Sequence, residues 1–273
     1  MTNSKFLTGI KPSWCPGCTN FAILIALEKA FSDLKLRPEE IVIAYDIGCG
    51  GNMGNFLRTS AFFGLHGRAV PLACGIKLGN PKLTVLAIGG DGGQLGEGTN
   101  HLIHAARRND DITLLILNNL VFSLTTGQAS PTTPLGMKTK TTLEGNQILP
   151  VDAVSIALSA GASFIARVFA GDIKFMVEVL KKAITHQGFS LVEILSCCLT
   201  FSQDFNFAWF KKRIIPIKKP FSKKKEAFQG SKQTKKKIPV GIFFREKRII
   251  FNKIAFQKHY KRTNFQTLLR NFE

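Results

Sequence analysis

The stretch Leu83-Thr84-Val85-Leu86-Ala87-Ile88-Gly89-Gly90-Asp91-Gly92-Gly93 runs from an apolar segment straight into a cluster of glycines around one carboxylate. A short apolar run bounded by glycines reads as a strand buried on both faces. Asp91 then falls just past its carboxyl end, in backbone that can turn sharply and approach a ligand. A second run, 112–117, ends at Asn118-Asn119, and 98–108 between them reads as a helix. Such a strand–helix–strand unit brings Asp91 and Asn119 to one sheet edge. A carboxylate at Asp91, an amide carbonyl at Asn119 and a main-chain carbonyl near Val121 suit a magnesium ion that also takes phosphate oxygens. Gly90-Asp91-Gly92 alone is an ordinary tight turn in many proteins. The 28-residue spacing from Asp91 to Asn119 makes it informative.

The same alternation continues on either side. Residues 14–18 form a loop, and 20–31 a helix with Asn20 as its N-cap. A strand at 41–45 leads into a glycine-rich loop at 46–54. Helices are expected at 68–78, 151–159 and 172–186, and strands at 163–168 and 191–195. Continuous apolar strands alternating with helices give the fold class: α/β, a parallel sheet with helices on both faces. Ligands bind such sheets at the carboxyl edge, where every candidate motif except the first cysteine pair lies.

Bulk properties bound the reading. The chain has 273 residues, 45% of them hydrophobic, enough for one sizeable domain with an appendage. No apolar run approaches the roughly 20 residues of a membrane span, and residues 1–11 lack the apolar stretch of an export signal. A reducing, cytoplasmic location is therefore expected for the six cysteines, which there bind metal or react. Of the net charge of +19, +17 falls in residues 211–273 and +2 in residues 1–210. The body is therefore almost neutral and 211–273 form a basic C-terminal extension. Lysine runs at 223–225 and 235–237 read as solvated. They suit an acidic partner, though such runs commonly have none. Nucleic acid gets little weight, because no recognition motif accompanies the charge.

The second constellation is Trp14-Cys15-Pro16-Gly17-Cys18, with Cys49 and Cys198 at later loop ends. Thiolates in this pattern suit an iron–sulfur cluster or zinc. A Cys-x-x-Cys pair alone also fits a zinc knuckle or a thioredoxin-like couple, although no fitting strand precedes it. Cys74 lies on an apolar helix and reads as a core residue.

Together these residues resemble one family. Gly90-Asp91-Gly92 with Asn119 matches the thiamine-diphosphate signature. Leu65-His66-Gly67-Arg68, Gly127-Gln128-Ala129-Ser130-Pro131-Thr132-Thr133-Pro134, Asp46-Ile47-Gly48-Cys49 and Cys198-Leu199-Thr200-Phe201 look like the β subunit of 2-oxoacid:ferredoxin oxidoreductases. The resemblance is closest to the 2-oxoglutarate or broad 2-oxoacid (pyruvate-accepting) subgroup. It implies the diphosphate half of a thiamine-diphosphate-binding fold over residues 1–210. Cofactor contacts are expected at Gly48, Cys49, Gly50, His66, Gly90, Asp91, Gly92, Asn119 and Val121. Magnesium would sit on Asp91, Asn119 and Val121, and a [4Fe–4S] cluster on Cys15, Cys18, Cys49 and Cys198. His66 suits the cofactor phosphates or a structural hydrogen bond equally. Cys197 stands where the family has Pro and is not counted as a ligand.

The implied activity is oxidative decarboxylation of a 2-oxoacid to acyl-coenzyme A and CO2, with electrons passing through the cluster to ferredoxin. No domain supplying the carboxylate that activates the thiamine ring is seen. An α subunit must complete the site as a heterodimer partner, and no catalytic residue is assigned to this chain. The alternative is a degenerate or non-redox thiamine-diphosphate-binding subunit that still assembles with α. Several departures from the family pattern favour it. Gly93 replaces a second Asp, Thr19 a Gly and Phe63 a His. Thr126 replaces a Lys, and Asn52 lies near another frequent Lys position. Lost lysines remove positive charge near where a carboxylate substrate would sit.

Overall fold

The computed structural model describes residues 4–234, 236–251 and 253. Lys235 and residues 254–273 of the basic tail lie outside the described residues. The strands are β1 (Ile41–Tyr45), β2 (Ser60–Phe63), β3 (Thr84–Gly90), β4 (Thr113–Asn118), β5 (Val121–Phe122), β6 (Gln128–Ala129), β7 (Phe164–Phe169), β8 (Ser190–Leu195), β9 (Ile214–Pro216) and β10 (Ile238–Arg245). The helices are α1 (Asn20–Asp33), α2 (Ala69–Gly79), α3 (Thr99–Arg108), α4 (Ala153–Ser159), α5 (Ile173–Ile184), α6 (Phe207–Lys211) and α7 (Lys224–Gly230).

Eight strands form one sheet in the order β2-β1-β3-β4-β8-β7-β10-β9, and β5 and β6 form a separate hairpin. From β2 to β7 every pairing is parallel. Alternation along each strand serves both faces. Leu86, Ile88, Leu115 and Leu117 pack under α1 and α5, whereas Val85, Ala87, Leu114 and Ile116 pack under α2, α3 and α4. This is why the strands read as unbroken apolar runs. From β1 the chain pairs outward with β2, then returns to β3 on the other side. That reversal is the switch point at which open α/β sheets bind ligands. Among the described residues no helix is long and apolar enough to cross a membrane.

Two local features differ from expectation. The N-cap of α1 is Thr19, and Asn20 is its first residue. Thr19 makes no cap bond, because its hydroxyl accepts from Cys197 N at 2.9 Å. Asp152 and Asp172 do cap α4 and α5, accepting from Ser155 N at 2.8 Å and Phe175 N at 3.0 Å. The glycine turn after β3 becomes a π-helical turn, Gly93–Glu97, before α3. Such turns concentrate at functional sites.

The segment after residue 210 adds to the sheet. β10 pairs antiparallel with β7 and buries Ile238, Val240, Phe243 and Phe244. Its neighbours Lys223, Lys225, Lys236 and Lys237 are exposed. The reading of those runs as solvated thus holds for these four lysines, whereas Lys224 is half-buried and pairs with Glu246 at 2.7 Å, and the buried residues of β10 anchor the segment to the body.

Candidate functional site

The carboxyl ends of β1, β3 and β4 open into a cleft of about 550 Å³, continuous with solvent. All nine residues assigned from the sequence to cofactor binding line it. Gly90 has only the Leu117 carbonyl near where a Cβ would be, at 4.0 Å, so its backbone faces open space and a ligand can lie against it. Gly92 is glycine for another reason: a Cβ there would overlap the ring of Phe122.

Asp91 is 1% exposed. Its Oδ2 accepts from the hydroxyls of Ser130 and Thr132, both at 2.5 Å, and its Oδ1 accepts more loosely from Asn119 N at 3.4 Å. Burial pushes its carboxyl up to about 6 against the opposing pull of these donors. The weakly engaged Oδ1 is the oxygen left to meet a cation. Asn119 Oδ1 accepts from Val121 N at 3.2 Å, and Asn119 Nδ2 donates to Ser123 at 3.1 Å. An amide oxygen has two lone pairs, so one remains for a metal. One carboxylate and one carbonyl beside backbone open to phosphate is a donor set that fits magnesium.

Asp46, at the end of β1, is a site residue that the sequence reading does not include. It is fully buried; Oδ1 accepts from Gly67 N and Ile47 N, both at 2.8 Å, and Oδ2 accepts from Gln94 Nε2 at 2.7 Å. It ties the His66-Gly67 loop and the π-helical turn to the sheet. Its position just past β1, matching that of Asp91 past β3, is the signal that could have found it. Any side chain at position 93 would overlap Asp46 Oδ2, which accounts physically for Gly93. His66 lines the cleft, with Nδ1 3.1 Å from Glu97 Oε2, an approach that does not meet hydrogen-bond geometry. Asn52 lies on a second cavity, and Phe63 stacks on Tyr45 with ring centroids 5.5 Å apart.

Cys15, Cys18, Cys49 and Cys198 line that second cavity, with Cys197 beside them. The two cavities share a wall of Asn20, Cys49, Asn119, Ser123 and Leu124. Burial, and then the neighbouring thiols of Cys49, Cys198 and Cys15, push the Cys18 thiol up to about 11. Trp14 donates from its indole to the Cys49 carbonyl at 2.7 Å, and Thr19 joins the first cysteine loop to Cys197. Among the described residues no three His, Cys, Asp or Glu side chains close on one ion position. Cys74 is buried on α2 with its thiol on Asp110 Oδ2 at 3.1 Å, away from both cavities.

Thr126, in place of a lysine, reads from the sequence as lost positive charge, and the fold changes that reading. Lys140 Nζ donates to Thr126 Oγ1 at 2.6 Å and lies 6.0 Å from the Phe201 ring centroid. Thr126 and Phe201 both line the cysteine cavity, so an ammonium group stands at its rim by another route.

The chain is similar to several known proteins. The family described as "Thiamine pyrophosphate enzyme, C-terminal TPP binding domain" matches residues 46–194. The family of the C-terminal part of the pyruvate ferredoxin oxidoreductase beta chain matches residues 198–262. The 2-oxoacid:ferredoxin oxidoreductase subunit beta of Saccharolobus solfataricus is 40% identical over 246 residues, covering 85% of this chain and 81% of that protein. The 2-oxoglutarate synthase subunit KorB of Methanocaldococcus jannaschii is 33% identical over 238 residues, 84% of this chain and 86% of that protein. The solved 2-oxoglutarate:ferredoxin oxidoreductase from Magnetococcus marinus, with 2-oxoglutarate, coenzyme A and succinyl-CoA bound, superposes with a TM-score of 0.91 at 29% identity. The match covers 100% of this chain and 97% of that one.

Proposed function

The chain belongs to the family of 2-oxoacid:ferredoxin oxidoreductase β subunits, and we infer that it is the cofactor-holding subunit of such an enzyme. That enzyme oxidatively decarboxylates a 2-oxoacid to CO2 and the coenzyme A thioester of the acyl group one carbon shorter. The observation that carries this reading is the shared wall between the two cavities. A cofactor cleft with a magnesium-type donor pair abuts a cavity lined by four cysteines, so electrons released in one have a short path to the other.

Thiamine diphosphate, when bound, supplies the electron sink for decarboxylation. Asp91 and Asn119 would hold its magnesium, with the Val121 carbonyl. Gly48 and Gly90 let the diphosphate lie close to the backbone, and Asp46 keeps His66 at the mouth. Cys15, Cys18, Cys49 and Cys198 would hold a [4Fe–4S] cluster. Among the described residues, Asp91 is the only Asp or Glu lining either cavity, which supports completion of the site by an α subunit. Ferredoxin is the expected acceptor, and the cytoplasm the expected place. The division at residue 210 separates the cofactor-binding body from a basic segment held by β10.

The test is anaerobic co-purification with an α subunit, followed by iron, sulfide and thiamine analysis and assay with 2-oxoglutarate and pyruvate. Four irons and one thiamine diphosphate per β chain, with 2-oxoacid-dependent acceptor reduction, are expected. A complex with zinc in place of iron removes the redox reading. A fully loaded complex without turnover favours the degenerate-subunit alternative.

A further inference from the structure

The interior of the sheet carries a line of polar groups that cofactor contact does not explain. Arg167 on β7 and Glu193 on β8 are register neighbours. Their exposures are 0% and 1%, and Arg167 Nε donates to Glu193 Oε2 at 2.6 Å. Glu193 pairs with Ile116 on β4, and Asn118, two residues on, shares that face. Asn118 Nδ2 donates to Glu193 Oε1 at 2.7 Å. On its other side Arg167 donates to Asp152 Oδ2 and to the Ser231 carbonyl, both at 3.0 Å. Desolvating such ions is costly, and packed apolar residues are often as stable or more so. The use of the line is therefore found in what it orients.

It orients the Asn118 amide. A carboxylate only accepts, so Glu193 dictates that Nδ2 faces it. Oδ1 then faces the cofactor edge, where it accepts from Leu120 N at 3.2 Å and lies 3.0 Å from Thr132 Oγ1. The Leu120 bond closes a side-chain turn around a residue at φ 70°, and Thr133 fastens it by donating to the Leu120 carbonyl at 2.6 Å. Asn119 and Val121 flank Leu120. A flipped amide would set N–H against N–H there and release the turn. Thr132 donates in turn to Asp91.

We propose that Glu193, held by Arg167, is a positioning residue for the magnesium-binding loop. By fixing the Asn118 amide it sets the 118–121 turn that presents Asn119. The proposal rests on the reading that Asp91 and Asn119 hold magnesium on thiamine diphosphate. It also joins the site to the segment after residue 210, since Ser231 helps hold Arg167.

The test uses the complex with the α subunit and Mn²⁺ as the probe, its free ion counted by paramagnetic resonance in the presence of thiamine diphosphate. Melting temperature and iron content are read alongside. Asn118→Asp sets two carboxylates face to face, and Glu193→Gln frees the amide to pair either way. Each alone is expected to weaken Mn²⁺ binding about tenfold, with iron content unchanged. The double variant Asn118→Asp/Glu193→Gln restores a donor–acceptor pair of reversed polarity and equal total charge. It is expected to recover affinity to within about threefold of wild type. Folded single variants with wild-type Mn²⁺ affinity overturn the role, even with a lowered melting temperature. So does a folded double variant that shows no recovery, which decides the matter if the single variants do not fold. A wild-type complex that binds no Mn²⁺ with thiamine diphosphate overturns the site assignment instead.

Discussion

Asp91 makes the strongest demand on its surroundings. A carboxylate buried to 1% exposure is kept only where donors or a cation answer it, and its two hydroxyl donors both address Oδ2. Asp91→Ala should therefore weaken magnesium-dependent thiamine diphosphate binding more than about 100-fold, read by calorimetry on the assembled complex. Asp91→Asn, which keeps an oxygen, should be milder. Wild-type affinity in the alanine variant would remove Asp91 from the site. Lys140 is a second case. Among the described residues no lysine or arginine lines either cavity, whereas the substrate carries at least one carboxylate. Lys140→Gln is expected to raise KM for the dicarboxylate 2-oxoglutarate about tenfold, as loss of one charged hydrogen bond predicts, with a smaller effect on pyruvate. Equal effects on both, or none, would place Lys140 outside substrate recognition. The placement of Asp91 and Asn119 on one cleft is legible in the sequence because each follows an apolar strand at the same sheet edge. Lys140 is not, since its approach to Thr126 depends on a loop fold with no period, and Asp46 is hidden among glycines.

The core strands are legible, to within two residues, because burial on both faces writes an unbroken apolar run. β2 escapes because three of its four residues are exposed and it carries no such run. β10 escapes because its apolar residues sit inside a lysine-rich region whose composition dominates the reading. Its packing makes a prediction. Phe243 is fully buried against the α2–α4 side of the sheet and lies under the guanidinium of Arg167, 5.5 Å from the ring centroid. Phe243→Ala should cost about 3–5 kcal/mol, visible in thermal or denaturant unfolding. A loss below about 1 kcal/mol would mean that β10 does not help to hold the body. The start of α1 shows the opposite trade. Thr19 gives up capping to bind Cys197, so local helix stability yields to alignment of the two cysteine loops. That exchange cannot be read from a capping pattern alone.

At the scale of the whole molecule, charge and cavities are arranged asymmetrically. The sheet edge holds two adjoining cavities with no described lysine or arginine in their linings, whereas the segment after residue 210 carries most of the net charge. That segment is anchored through β10 and through Arg167 bound to the Ser231 carbonyl, so its exposed lysines are held near a fixed surface. A fixed positive field accelerates encounter with an acidic protein and does little for a small neutral molecule. Screening separates the two cases, because the Debye length shrinks from about 10 Å at 0.1 M salt to about 3 Å at 1 M. With 2-oxoacid saturating, reduction of an acidic ferredoxin should therefore fall at least about tenfold between about 0.05 M and 0.5 M salt. Reduction of a neutral dye by the same complex should stay within about twofold, since the cluster cavity itself is unaffected. Replacing Lys223, Lys225, Lys236 and Lys237 with Gln should flatten the ferredoxin dependence and leave dye reduction unchanged. Parallel salt curves for the two acceptors, or an unaltered slope in the quadruple variant, would show that these lysines are solvated without a partner.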